Sequence, residues 1–200
     1  ETAIALRNGH ETASAIQSRI EDAWRSSEPR LGAYKTWNGD GTKAAAPTID
    51  HLFERGIDLG PLQGIPVAVK DLYGVRNLPT FAGSPNRLPK EWEHEGPLVA
   101  KLQRNQAMIS GKSHTVEFAF GVLGTNAHWP APRNPWDAKK HRAPGGSSSG
   151  SGVSLWQGSA RLAFGTDTAA SVRAPASFTG TVALKTTKDR WPTDGIVPLS

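Results

Sequence analysis

Three stretches of this chain carry side chains that suit hydrolytic chemistry. They are A-P-G-G-S-S-S-G-S at residues 143–151, G-T-D-T-A-A-S-V-R-A-P-A at residues 165–176, and G-I-P-V-A-V-K-D, whose apolar run ends on Lys70. Each of the first two holds a candidate reactive serine, Ser171 being the one in the second. A serine hydroxyl is a poor nucleophile near pH 7 and needs a base that removes its proton during attack. Histidine usually does this, but no His follows His141 here and none lies close in sequence to Ser171. A lysine serves instead if burial disfavours its ammonium form, and Lys70 emerges from an apolar run. The small residues Thr168, Ala169, Ala170 and Ser171 offer a row of backbone N–H donors with little bulk, as a developing oxyanion requires. Plainer alternatives are a lysine paired with Asp71 or solvent, an ordinary tight turn, and a Gly/Ser linker. Linkers join domains, however, and this Gly/Ser run sits inside a single-domain length between two segments of ordered pattern.

The elements that must position these residues follow from periodicity. Apolar residues Ile4, Ala5, Ala13, Ala15, Ile16, Ile20, Ala23 and Trp24 form a helical stripe over residues 2–24, interrupted at Gly9, which predicts one or two helices. Residues 26–40, with Pro29, Gly32 and Gly39, read as connection. A short helix over 44–55 starts near Thr48 and stops at Gly56. The β-branched run 65–69 reads as a buried strand that delivers Lys70 at its end, with pairing after Pro66. Residues 96–105 show a helical pattern and 107–110 a short apolar strand. Strand, helix, strand in that order predicts an α/β fold with a mixed, partly parallel sheet flanked by helices. Further along, a helix at 150–157 and strands at 161–164 and 181–184 are expected. The whole reads as one domain over 1–200, with a helical region at 1–60 and the catalytic portion at 61–200.

Composition narrows the chemistry. The 200 residues include no cysteine, which excludes disulfides, thiolate metal sites and a cysteine nucleophile within them. No apolar run approaches the ~20 residues that span a bilayer, and the first residues show no basic leader before an apolar core, so a cytoplasmic location is expected. The net charge of +5 is spread along the chain. Only Lys139, Lys140 and Arg142, around His141, cluster, and they read as a solvated loop, so nucleic acid is not an expected partner. Six His residues show no i, i+4 pair, and no metal or cofactor is expected. G-x-S-x-G is matched at Gly146, Ser148 and Gly150, but no strand precedes it and no His follows. S-G-K-S at residues 110–113 has Gln106 where a phosphate-binding loop needs glycine. Trp129, Trp136 and Trp156 lie near the Ser-rich loop in sequence and read as packing residues more readily than as a pocket lining.

Four ordered motifs together resemble the amidase signature family: G-P-L-Q-G-I-P-V-A-V-K-D, G-K-S-H-T-V-E-F-A-F-G, R-A-P-G-G-S-S-S-G-S and G-T-D-T-A-A-S-V-R-A-P-A-S-F-T-G. The resemblance runs from about residue 31 to residue 200. It implies a catalytic set in which Lys70 is the base, Ser147 a serine held by a cis peptide, and Ser171 the nucleophile. Neutral Lys70 would accept a proton through Ser147 as Ser171 attacks a small-molecule amide, giving an acyl-enzyme. Oxyanion donors would come from Thr168, Ala169 and Ala170. The sequence departs from the family pattern in having Ala169 and Ala170 before Ser171 where G-G or A-G is usual, and Ser149 in place of a common glycine. Family enzymes also continue well beyond G-I-V-P-L-S, which implies a longer enzyme, a homo-oligomer, or a partner chain that supplies the rest. The same resemblance leaves two alternatives: the amidase subunit of a tRNA-dependent amidotransferase, acting as a glutaminase, or a catalytically silent piece.

Overall fold

In the computed structural model, which describes residues 1–199, the N-terminal stripe is split into α1 (Thr2–Arg7) and α2 (Ala13–Leu31). Thr12 caps α2, its hydroxyl accepting from the Ala15 amide at 3.0 Å. The Asp50 carboxylate adds a second cap, accepting from the Ala13 and Ser14 amides at 2.5 and 3.1 Å. Asp50 belongs to α3 (Gly39–Glu54), so this cap also ties the two helices together.

Residues 26–40 are not the connection their Pro and Gly content suggests. Pro29 is tolerated inside α2, and Gly32, with φ of 61°, is the left-handed residue that ends the helix. Strand β1 (Tyr34–Trp37) follows. The later elements are β2 (Pro66–Lys70), α4 (Pro97–Arg104), β3 (Met108–Ser113), α5 (Ser149–Gln157), β4 (Leu162–Phe164) and α6 (Arg173–Thr179). Residues 181–184 join no strand ladder among the described residues. Their alternating pattern lacks a pairing edge, and Val182 and Leu184 stay exposed.

The four strands lie in the order β1-β3-β2-β4, with β2 parallel to both neighbours and β1 antiparallel to β3. This is the mixed, partly parallel α/β architecture that the strand, helix, strand order predicts. Alternation along β2 separates two faces. Val67 and Val69 pack in one core cluster with Ile16 and Ile20 of α2 and Ile49 of α3. Ala68 joins Leu31 and Val153 in another, on the α5 side. Lys70 continues the Ala68 face and so meets the loop that precedes α5.

Candidate active site

Every residue of β2 is buried, and Lys70 at its C-terminal end is fully so. Its Nζ donates to Ser147 Oγ at 2.6 Å and to Thr166 Oγ1 at 2.7 Å. Burial pushes the Lys70 ammonium down to about 7, opposed by the Asp167 carboxylate. Near neutrality, therefore, a large fraction of this amine is unprotonated and able to accept a proton.

The Gly-rich loop places Ser147 by close backbone approach. Gly145 has φ of 80°, and a Cβ there would lie 2.7 Å from Pro175 Cα. A Cβ on Gly146 would lie 2.7 Å from the Gly124 amide nitrogen. These positions have no room for a side chain, which is why the run is glycine and not a spacer. The Gly146–Ser147 peptide bond is cis. Backbone bonds then hold the turn: Gly146 N donates to Val122 O at 2.7 Å and Val116 N to Ser147 O at 3.0 Å. The Ser148 amide donates to the Ser171 carbonyl at 3.1 Å, which brings the two serine-bearing loops together. Ser147 is fully buried and Ser171 is 9% exposed. The Lys70–Ser147 contact is formed, whereas the Ser171 hydroxyl engages in no hydrogen bond among the described residues.

Asp167 organises the loop that carries Ser171. Its carboxylate accepts from the amides of Ala170, Val172 and Arg173 at 2.9, 3.1 and 3.3 Å. It also receives both arms of the Arg173 guanidinium at 3.0 Å. Partial burial pushes this carboxyl up, but the Arg173 guanidinium and the loop amides prevail and hold it well below the usual carboxylate range. Ala170, directly before Ser171, has φ of 80°, the left-handed region where glycine is usual in the resembling motif. Its amide is taken by Asp167, which leaves the Thr168, Ala169 and Ser171 amides without an internal acceptor among the described residues. A cavity of about 420 Å³ opens beside Thr166 and Thr168, with Leu72, Trp92 and Ile196 in its walls.

Motif position alone did not single out Thr166 and Asp167. A hydroxyl and a carboxylate between a glycine and a run of small residues, with Arg173 six positions after Asp167, are the available signal. None of the three tryptophans lines the cavity beside Thr166. Trp129 covers the Lys35 ammonium and Trp136 Nε1 donates to Thr179 O, while Trp156 is 42% exposed. Among the described residues no three His, Cys, Asp or Glu side chains gather as metal ligands, and no helix is long and apolar enough to cross a membrane.

The family model described as Amidase matches residues 13–200. The chain belongs to the amidase family. It is 60% identical over 200 residues to the 2-amino-5-chloromuconic acid deaminase of Comamonas testosteroni, a match covering all of this chain and 43% of that protein. It is 37% identical over 198 residues to one of the subunits of the glutamyl-tRNA(Gln) amidotransferase of Koribacter versatilis (strain Ellin345), covering 98% of this chain and 40% of that one. Among solved structures, the native peptide amidase from Stenotrophomonas maltophilia superposes with a TM-score of 0.87 at 29% identity, covering 98% of this chain and 41% of that one. The chain thus spans about two fifths of the length of these amidase relatives.

Proposed function

We propose that this chain is the nucleophile-bearing portion of a hydrolase that cleaves a carbon–nitrogen bond through Ser171, with Ser147 as proton relay and Lys70 as base. The observation that carries this is a fully buried lysine amine, near half-protonated at neutral pH, within 2.6 Å of the Ser147 hydroxyl. In the neutral form that contact runs with the hydroxyl donating to the Nζ lone pair. Ser171 Oγ attacks the carbonyl carbon of the amide while its proton passes to Ser147 Oγ and the Ser147 proton passes to Lys70 Nζ. The carbonyl π bond opens onto oxygen, and the resulting oxyanion is met by the amides of Thr168, Ala169 and Ser171. Collapse re-forms the carbonyl and breaks the C–N bond, the relay returning its proton to the leaving amine. Water, deprotonated by the same relay, then cleaves the acyl-enzyme and frees Ser171.

Relatedness bears on the substrate. The deaminase matches this chain at 60% identity from end to end, whereas the amidotransferase proteins match at 35–41%. We therefore favour a small unsaturated amino acid of the kind in the deaminase's name over glutamine presented to an amidotransferase partner. Its nitrogen is on an alkene carbon, so for this substrate Ser171 Oγ adds to C2 of the imine tautomer while its proton reaches the nitrogen through the relay; ammonia then leaves with the C3 proton, and water adds across C2 and C3 and expels Ser171 to give the 2-oxo acid. The test is ammonia release by the full-length enzyme from 2-amino-5-chloromuconic acid and, separately, from glutamine. Release from the former alone is expected. Release only from glutamine, and only with copurified partner chains, would assign the protein to the amidotransferase side.

A further inference from the structure

A second lysine is buried as completely as Lys70, and the proposed reaction leaves it without a task. Lys112 sits on β3 opposite Val69 in the parallel register, one position before Ser113, the partner of Lys70. Its Nζ lies 3.0 Å from Asp71 Oδ1, donates to Thr80 Oγ1 at 2.8 Å and approaches Pro79 O at 3.3 Å. Asp71 is the residue directly after Lys70, and it too is fully buried. Its other carboxylate oxygen accepts from the Phe81 amide at 3.1 Å. Two charges without water need each other, because the loss of one partner leaves the other uncompensated in a low-dielectric interior.

The consequence for Lys70 comes from sequence adjacency. A carboxylate one residue away that turned toward Lys70 would favour its ammonium form and keep the amine from acting as a base. Lys70 and Asp71 instead turn to different partners: Lys70 to Ser147 and Thr166, Asp71 to Lys112 and Phe81.

We propose that the Lys112–Asp71 ion pair is a positioning device for the reaction at Ser171: Lys112 neutralises the carboxylate that follows Lys70 in the chain and so leaves Lys70 free to take the Ser147 proton. This inference rests on the role of Lys70 proposed above. Other charged groups bear on the pair. Lys35 of β1 faces Asp71, with its Nζ 3.3 Å from the Trp129 ring centroid and 4.1 Å from that of Phe81. Glu93 faces Lys112, and Asp167 faces Lys70. His114, two residues beyond Lys112, is pushed down to about 4 by burial and then by Lys35, so it is neutral and adds no charge near neutral pH. Burial pushes the Asp71 carboxyl up and the Lys112 ammonium down, and in each case the partner's charge opposes the push. The charged pair is the state in which both groups keep their hydrogen bonds.

The test is the pH dependence of the rate at which a fluorophosphonate labels Ser171 in the full-length enzyme, which requires no knowledge of the substrate. In the parent protein the rate should rise with pH through an acid limb that reports Lys70. Lys112→Met should move that limb up by about one pH unit, since Asp71 then turns its charge on Lys70. Lys112→Arg should keep it in place, as should the double change Asp71→Asn with Lys112→Met, because neither leaves a free carboxylate. Asp71→Asn alone should move the limb down, because an unopposed Lys112 cation disfavours a second one. A folded Lys112→Met protein with an unmoved limb would overturn the proposal. Should Lys112→Met fail to fold, the decision falls to Asp71→Asn: a limb unmoved or raised overturns the proposal, a lowered one supports it. Failure of the parent protein to be labelled at Ser171 would instead sink the reaction itself, an outcome separate from these.

Discussion

The amide of Ala170 donates to Asp167 Oδ1 at 2.9 Å while Ala170 holds a φ of 80°. A side chain in the left-handed region costs roughly 1–2 kcal/mol, and here the cost falls on the residue directly before Ser171. The Asp167 carboxylate, itself locked by Arg173, is what keeps the backbone there.

Replacing Ala170 by Gly removes that strain, and the extra freedom of glycine in the unfolded chain returns roughly 0.5–1 kcal/mol of it. Ala170→Gly should therefore stabilise the protein by about 0.5–1 kcal/mol and leave turnover intact. Thermal unfolding of the full-length enzyme checks this, and a lowered midpoint would show that Ala170 carries no such strain.

Asp167→Asn removes the charge that draws in Arg173 and weakens three loop amide bonds at once. Turnover should fall by about 10²-fold or more, as expected when a misplaced nucleophile loses its geometry. Conservative Asp167→Glu should not rescue it, since one added methylene displaces every bond. Measured kcat should drop more than KM rises.

Lys70 links activity and stability with opposite signs. Its folded value is about 7 against an ordinary 10.5, so between those two pH values the unfolded chain binds a proton that the folded one does not, and stability rises with pH across that window. At pH 7 the burial of this group is a liability. Lys70→Met should remove this contribution to the stability slope between pH 7 and 10.5 and raise stability at pH 7 by on the order of a few kcal/mol. Ser147 and Thr166, each left without a partner, offset part of that gain. Activity should fall by about 10²- to 10⁴-fold with the loss of the base. Denaturant titrations at pH 7 and pH 10, run beside turnover assays, read both effects.

Thr166→Val removes one of the two hydroxyls that Lys70 Nζ reaches. With fewer acceptors the ammonium is less supported, so the acid limb of activity should shift to lower pH, while maximal turnover falls by about tenfold as Lys70 loses its orientation. An unchanged profile would assign Thr166 to packing alone.

Much of the scaffold was legible because it rests on local pattern. The apolar run ending at Lys70 could only be a buried strand, and the spacing of Val99 and Leu102 before Met108 implied a crossover helix and a parallel partner. Strand β1 was hidden because Pro29 and Gly32 punctuate the same stretch, and only the structure shows that one lies within the helix and the other ends it. Residues 181–184 misled in the opposite way, since β-branched alternation says nothing about whether a pairing edge is present. At the site, residue types pointed to Lys70 and Ser171, and the motif resemblance chose Ser147 from three consecutive serines. Thr166, Asp167 and Lys112 act through contacts between residues 32 to 96 positions apart or through a loop's own amides, and no periodicity encodes such contacts.

The central claim is a neutral lysine that activates Ser171 through Ser147. It is tested most directly by the rate of fluorophosphonate labelling of the full-length enzyme as a function of pH, with the modified residue located by mass spectrometry. The account predicts modification at Ser171, a rate that rises with a midpoint near pH 7, and loss of that rise in Lys70→Ala and Ser147→Ala. Modification at another serine, or a rate at Ser171 that ignores both substitutions, would contradict it.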